Sequence, residues 1–273
     1  MYQTNPPKPP QETLPTMYDL PSEDPEEPGL PDEFHDIQPQ LLKETFRPST
    51  YLPEQVFVGT DLNVYYDVRH PQWYKRSDWF AVLGVERSEQ QADLRLSYVI
   101  WQEGVSPFLV VELLSPSTEE EDLGQTLREI NQPPTKWNVY ERILHVPYYV
   151  VFSRYTGELK AFEIRGVRYQ ELSLEGDRFW LPELELGLGV WQGHYENVEG
   201  RWLRWYDAEG QWLPTAQEQL ADTEAQLEEA EAQLEEREAQ LEETEAQLEQ
   251  ERSRTQQLAE MLHNLGIPPD QIP

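Results

Sequence analysis

The sequence predicts an α/β domain with a mixed β-sheet core flanked by helices, followed by a long C-terminal α-helix. A short apolar run at residues 108–115 has the composition of a central strand and ends at a Ser-Pro-Ser-Thr segment. A second apolar run, at 148–152, follows a helical crossover of about 30 residues, which fits a parallel pair joined in the right-handed sense. Leucine then recurs every seven residues from Leu220 to Leu248, which predicts the long helix.

Composition divides the 273 residues into four segments. Residues 1–33 are rich in proline and acid, and we expect a disordered arm there because proline blocks regular ladders and little apolar area can be buried. Residues 34–215 are predicted to form one folded domain. Residues 216–265 are an acidic heptad-repeat helix, and residues 266–273 are a tail that opens on a helix-stopping glycine.

The chain is strongly acidic, with 52 acidic and 21 basic residues and a formal net charge of −31. Residues 1–50 hold ten acids and three bases, and residues 216–262 hold fifteen and three. Such a surface argues against coating of duplex nucleic acid, which needs a basic surface. A small site at which a bound cation supplies the positive charge stays open. The absence of cysteine excludes thiol catalysis, disulfides and cysteine-based zinc sites.

No stretch has the pattern of a signal peptide or of a membrane span. The N-terminus lacks a basic region followed by an apolar one, and no apolar run approaches the roughly 20 residues that a bilayer requires. We therefore expect a soluble, cytoplasmic protein with no membrane partner.

The predicted strands are short runs of apolar or alternating residues bounded by turn signals. They lie at residues 56–58 and 63–66, which form one strand or a hairpin, and at 78–85, 94–101, 108–115 and 148–152. Hairpin-like segments continue to about residue 213, at 159–164, 167–172, 178–181, 184–190 and 202–206.

Helices are predicted in two parts of the domain. A short helix is expected around residues 39–45. A longer one is expected to begin at Thr118, where a hydroxyl can cap it, and to be interrupted at Pro133 and Pro134. It restarts over residues 135–144 with a threonine as cap.

The heptad repeat predicts a helix more strongly than it predicts a coiled coil. A good seam needs two apolar positions per heptad, and the leucine series supplies one. The position three residues after each of the first four leucines is occupied by threonine, alanine or arginine. The position four residues after each of them is occupied by glutamate. Repulsion between glutamates also opposes association. The helix therefore either forms a homo-oligomer through a weak coil or stands alone in solvent, and the sequence leaves both open.

Glu112 is the charged residue in the otherwise apolar run at 108–114. A carboxylate there costs several kcal/mol unless a basic partner, protonation or a metal ion compensates. Asp78, at the start of the second predicted strand, would meet Glu112 if the two strands are neighbours, and two carboxylates on rigid strands suit Mg²⁺ or Mn²⁺. Lys136 could then orient a water and offset charge on a phosphate. Taken singly, Asp78 is better explained as a strand cap and Lys136 as a solvated helix residue.

Several segments of the domain together form a wider pattern. They are residues 59–66, 76–85, 96–104, 111–118 and 121–124, then Lys136-Trp137-Asn138-Val139-Tyr140 and Val146-Pro147-Tyr148-Tyr149. In this order and at these spacings, over about residues 55–210, they resemble the bacterial restriction endonuclease domain of the PD-(D/E)XK nuclease superfamily.

The resemblance implies a restriction endonuclease-like sheet in which Asp78 and Glu112 hold a divalent metal, Mg²⁺ or Mn²⁺, with the Leu113 carbonyl as a third ligand. Lys136 would replace the lysine of the motif, because the usual position two residues after Glu112 is Leu114. The chain departs from the family pattern by an insertion of about ten residues before Lys136.

Two further acidic residues, Glu103 and Asp122, match positions of the family pattern, and their role is either accessory or structural. His70 is the one other residue with catalytic chemistry that stands out, and an exposed loop histidine explains it better. No Gly-rich phosphate loop or Ser-His-Asp order stands out.

Two function classes follow from these observations. The first is a metal-dependent endonuclease that hydrolyses phosphodiester bonds, with DNA bound through a local site. The second is a catalytically silent scaffold of the same fold that acts as a protein-interaction module through its acidic C-terminal helix.

Overall fold

The computed structural model describes residues 32–86, 88, 90–115, 119–126, 128 and 132–264. The chain separates into two compact units, the first ending at Thr215 and the second beginning at Ala216. Except for Asp32 and Glu33, the predicted arm lies outside the described residues, and so does the predicted tail.

Within the described residues, ten strands form two sheets. They are β1 Val56–Tyr65, β2 Tyr74–Leu83, β3 Tyr98–Val99, β4 Leu109–Leu113, β5 Tyr148–Phe152, β6 Leu159–Arg165, β7 Arg168–Glu171, β8 Arg178–Leu181, β9 Leu186–Tyr195 and β10 Val198–Tyr206. One sheet has the order β3-β1-β2-β4-β5-β6-β7, and the other has the order β10-β9-β8. Strands β4 and β5 pair in parallel at the centre of the large sheet, whereas β2 and β4 are antiparallel. This mixed sheet confirms the predicted fold class.

The helices pack around the large sheet or follow it in the chain. They are α1 Glu33–Thr45, α2 Ile100–Glu103, α3 Glu119–Asp122, α4 Lys136–Asn138 and α5 Ala216–Asn264. Helix α4 continues as a π-helical turn over Val139–Ile143.

Helix α1 begins six residues earlier than the sequence predicted. The Asp32 carboxylate accepts a hydrogen bond from the His35 amide at 3.1 Å and caps the helix. Pro39, expected near the start, lies inside the helix and removes one main-chain hydrogen bond. Burial of Leu41 and Leu42 on the face toward the core offsets that loss.

Two other predicted elements are shorter in the structure. The strand expected at 94–101 is reduced to β3, and Leu94 and Leu96 are exposed, so their apolar character does not reflect burial. In the described residues, the helix expected from Thr118 is only α3. Gly124 follows it with φ +71°, a conformation that favours glycine, and any Cβ there would lie 2.8 Å from the Trp137 ring.

The large sheet is buried on both faces, and successive residues of β4 alternate between them. Val111 packs with Trp79 against a core that includes α1 and the second sheet. Val110 points to the other face and packs with Tyr140 of the π-helical turn. Glu112 follows Val111 and therefore points to the same face as Val110, beneath α4.

Helix α5 is 49 residues long, and none of its residues is buried. Its leucines at 220, 227, 234, 241 and 248 are 50–62% exposed. Association of this helix with a second copy stays a prediction. No helix in the described part of the chain is long and apolar enough to cross a membrane.

Gln38 joins α1 to the outer side of β10, an edge strand. The side chain is fully buried, donates from Nε2 to the Leu203 carbonyl at 2.9 Å and accepts from the Leu203 amide at 2.8 Å. The amide side chain thus satisfies main-chain groups that a neighbouring strand would otherwise bind.

We expect Gln38→Ala to lower the free energy of unfolding by about 3 kcal/mol, because each buried group left without its partner costs about 1–3 kcal/mol. Urea unfolding followed by tryptophan fluorescence measures the loss. Gln40→Ala, on the exposed side of α1, is the control and should change stability by less than about 0.5 kcal/mol. Equal losses in the two variants would contradict the assigned role of Gln38.

Candidate active site

Asp78 and Glu112 lie where β2 and β4 stop pairing. The ladder between these strands ends at the pair Trp79 and Val111. Beyond it, the Asp78 amide donates to Glu112 Oε2 over 3.4 Å, and the Leu113 amide donates to Asp78 Oδ2 over 2.6 Å. The two carboxylates therefore replace the next main-chain bonds. The strands are neighbours, which is the condition for the two acids to meet, although Asp78 lies inside β2 rather than at its start.

The strand on the other side of Asp78 is also irregular. Strands β1 and β2 pair regularly on both sides of Asp61, but no pair joins Asp61 to Asp78. Asp61 has φ +48°, in the left-handed region, and its carboxylate forms two hydrogen bonds with Arg76. Because such backbone breaks a ladder locally, β2 is released from regular pairing on both sides at the position of Asp78.

Lys136 reaches the two strands from α4. Its Nζ lies 2.9 Å from Glu112 Oε2 and 3.5 Å from Asp122 Oδ1. The Thr135 hydroxyl caps α4 by accepting from the Asn138 amide at 3.2 Å, which sets the first turn and hence the direction of Lys136. The structure thus brings together Asp78, Glu112 and Lys136 with Asp122, one of the two acids that match the family pattern.

Tyr140 binds the second oxygen of Glu112, a contact that the sequence reasoning missed. Its hydroxyl donates to Glu112 Oε1 at 2.9 Å. Lys136 and Tyr140 are four residues apart, so they lie on one face of the helical segment. The Lys-x-x-x-Tyr spacing was the available signal.

His35 also lies at the site, from a position that no local pattern indicated. Its Nε2 is 3.0 Å from the Leu113 carbonyl oxygen and its Nδ1 is 2.8 Å from Asp32 Oδ1. The oxygens of both partners accept hydrogen bonds, so the two contacts favour a ring with protons on both nitrogens. Burial alone would lower the pKa of His35, but the charge of Asp78 and these two hydrogen bonds raise it above the ordinary value. The carbonyl predicted as a metal ligand therefore already has a ring nitrogen of His35 beside it.

Glu103, the other acid named as an accessory candidate, lies away from this cluster, and so does His70. Glu103 lies on α2 beside β3, an edge strand that β1 and β2 separate from β4. It forms two hydrogen bonds with Arg95, at 2.8 and 2.9 Å, which is a structural role. His70 stacks on Trp73 with ring centroids 3.9 Å apart and is half exposed, as a loop histidine would be.

Comparison with known proteins identifies the domain. A family model described as "Uma2: Putative restriction endonuclease" matches residues 11–199. The chain belongs to this family. The match covers most of the first unit, confirms the resemblance read from the sequence and establishes a nuclease-like domain. No curated protein matches the chain.

The carboxyl groups at the acidic centre of the Uma2 domain outnumber its lysine. Burial raises the pKa of Glu112 to about 7; Lys136 opposes this rise and the charge of Asp78 adds to it. Burial likewise raises the pKa of Asp78. Burial would lower the pKa of Lys136, but Asp122, Glu112 and Asp78 outweigh it and hold that pKa well above its ordinary value. Three carboxyl groups thus surround one ammonium group that stays charged.

The oxygen atoms at this centre suit a hard divalent cation. Asp78 and Glu112 offer carboxylates on adjacent strands, and Leu113 offers a main-chain carbonyl beside them. Across the described residues, no three His, Asp or Glu side chains form a ready cage. Mg²⁺ commonly uses one or two carboxylates and keeps several waters, so such a cage is not required. The donor set of the Uma2 domain therefore fits Mg²⁺ or Mn²⁺.

The raised pKa of Glu112 predicts how the stability of the metal-free Uma2 domain depends on pH. The pKa of Glu112 is about 7 in the folded chain and has the ordinary value of 4.5 in the unfolded chain, so protonation of Glu112 stabilises the fold. This stabilisation is complete below about pH 4.5 and is lost as the pH rises through 7. The free energy of unfolding of the wild type should therefore fall between about pH 5 and 8. In Glu112→Gln, which cannot lose this proton, the fall should be smaller by about 2–3 kcal/mol. Urea unfolding in EDTA at several pH values measures it.

Glu54→Gln is the matched control, because Glu54 is an exposed glutamate in the turn before β1. It should leave the wild-type pH dependence in place. Parallel curves for wild type and Glu112→Gln would show that Glu112 does not titrate in this range.

Proposed function

We propose that the Uma2 domain of this chain is a divalent-metal-dependent endonuclease that hydrolyses phosphodiester bonds of nucleic acid, with DNA as substrate. The observation that carries the proposal is the convergence of Lys136 on Glu112 beside Asp78, at the point where two neighbouring strands stop pairing. Family membership supports a nuclease-like domain.

Asp78, Glu112 and the Leu113 carbonyl would hold the metal. When bound, Mg²⁺ or Mn²⁺ supplies a Lewis acid for phosphate oxygens and lowers the pKa of a coordinated water. Tyr140 fixes the orientation of Glu112 through Oε1, so this carboxylate does not turn away from the gap between the strands. His35 holds the Leu113 carbonyl from its other side.

Lys136 acts as a cation rather than as a base. Because the surrounding carboxylates hold its pKa well above the ordinary value, the ammonium group keeps its proton at neutral pH. It can therefore donate hydrogen bonds to the attacking water and to the phosphate, and stabilise the negative charge that builds on the phosphate in the transition state. The acceptor of the water proton is then a carboxylate or the substrate itself.

A second candidate function rests on helix α5. Its leucines lie in register every seven residues and stay at least half exposed, an arrangement that suits a partner helix. In this alternative the nuclease-like fold is a silent scaffold and the acidic helix binds another protein.

The first test uses calorimetry of the full-length chain with Mn²⁺ and cleavage of plasmid DNA in Mg²⁺. Asp78→Asn and Glu112→Gln should abolish binding at the site and lower cleavage at least about 100-fold, because each removes a charged metal ligand. Lys136→Met should keep Mn²⁺ binding and lower cleavage by about 10²–10³, since it removes only electrostatic stabilisation. Glu103→Gln is the control and should retain both activities.

Weak binding of cations by the acids of α5 is the same in every variant, so differences between variants report on the site. Identical titrations for wild type, Asp78→Asn and Glu112→Gln, without cleavage by any of them, would reject the nuclease proposal. The scaffold alternative would then be tested through α5.

A further inference from the structure

Three nitrogen donors converge on the carboxylate of Glu121, in helix α3. Lys75 Nζ lies 2.8 Å from Oε1, and the Lys136 amide donates to the same oxygen at 3.2 Å. Arg128 donates from Nη2 to Oε2 at 2.6 Å. The donors come from β2, from the first turn of α4 and from the segment between α3 and α4, so tertiary folding rather than local sequence assembles them.

This cluster has the chemistry of an oxyanion site. Its donor–acceptor distances are those of charge-assisted hydrogen bonds, which phosphate oxygens form as readily as carboxylate oxygens. Lys75 and Arg128 bring two cationic side chains to the single carboxylate of Glu121, on a helix whose other residues, Glu119, Glu120 and Asp122, are acidic too. The Lys75 side chain is 10% exposed and that of Arg128 is 36% exposed, so solvent reaches the cluster.

A further donor is the hydroxyl of Tyr66, the residue that follows β1. The Tyr66 hydroxyl is buried and forms no hydrogen bond within the described part of the chain. Burial, together with the charges of Asp67 and Glu121, raises the pKa of Tyr66 to about 12, so the hydroxyl keeps its proton at neutral pH. A buried hydroxyl normally has an acceptor, and a larger anion with more oxygens could supply one.

Lys136 connects the cluster to the candidate active site. Its amide contacts Glu121, while its ammonium group contacts Glu112. An anion in the position of Glu121 would thus lie within the span of one lysine side chain from the proposed point of cleavage. A phosphate next to the scissile one along the same strand meets that requirement.

We propose that Lys75, Arg128 and the Lys136 amide form a subsite for a backbone phosphate of the nucleic-acid substrate, and that Glu121 occupies this subsite when nucleic acid is absent. The assignment rests on the proposed function, because it identifies the substrate as a phosphodiester chain. It also gives an acidic domain a way to bind a polyanion: two cationic side chains are covered by a carboxylate that the substrate displaces.

The test measures the affinity of the full-length chain for a fluorescein-labelled DNA duplex by anisotropy, in EDTA at low salt. Glu121→Gln should tighten binding about 3–10-fold, because it removes the competing charge. Lys75→Met should weaken binding about tenfold. It should also reduce the slope of log K against log salt concentration by about one, because one phosphate contact is lost. Lys160→Met is the matched control, because Lys160 is also a lysine paired with a glutamate, and it should bind as wild type.

Arg128→Gln gives an independent check, since Arg128 is more exposed and its loss should not unfold the chain; binding should weaken about 3–10-fold. Urea unfolding of each variant separates loss of fold from loss of contact.

Weaker or unchanged binding by Glu121→Gln in a folded protein would overturn the proposal and leave Glu121 as a structural partner of Lys75. Absence of binding by both wild type and Glu121→Gln would overturn it too. Because EDTA removes the metal, these outcomes do not depend on Mn²⁺ binding at Glu112, which tests the nuclease proposal separately.

Discussion

Burial of the Glu112 carboxylate in the central strand is the constraint on which the rest of the site depends. A fully buried carboxylate in a sheet is tolerated only if its oxygens are bound, and here Lys136, Tyr140 and the Asp78 amide bind them. Two of these partners come from the helical segment that begins with α4, and the third comes from β2. Glu112 therefore dictates where α4 must lie over β4, and why β2 and β4 must separate beyond Val111.

The three ways to compensate a buried carboxylate turn out to be compatible with one another. Lys136 is the basic partner, and a pKa near 7 makes Glu112 partly protonated at neutral pH. Asp78 and Asp122 bring two more carboxyl groups to the same place, and a bound divalent cation would favour their charged forms. The same arrangement thus serves stability and suits a metal ion, and neither role has to be given up for the other.

The acidity of the chain and its membership of a nuclease-like family are reconciled by the distribution of charge. Much of the excess lies in the ends of the chain, and helix α5 carries its glutamates in a unit of its own. Within the first unit, the side chains of Lys75 and Arg128 and the main-chain amide of Lys136 contact Glu121 beside the candidate site. Overall net charge is therefore a poor guide to what one small region can bind, since Coulombic interactions are screened over about 10 Å.

The sequence by itself determined the α/β class, the parallel pair around Glu112 and the acids worth considering, because strand composition and crossover length are local signals. It could not decide whether Lys136 reached Glu112 across the insertion, where Glu103 lay, or that β2 extended before Asp78. It gave no sign of His35, which contacts Leu113 from 78 residues away. Only the tertiary structure decided these points, because contacts between distant segments depend on how elements pack, and side-chain periodicity records burial without naming the partner.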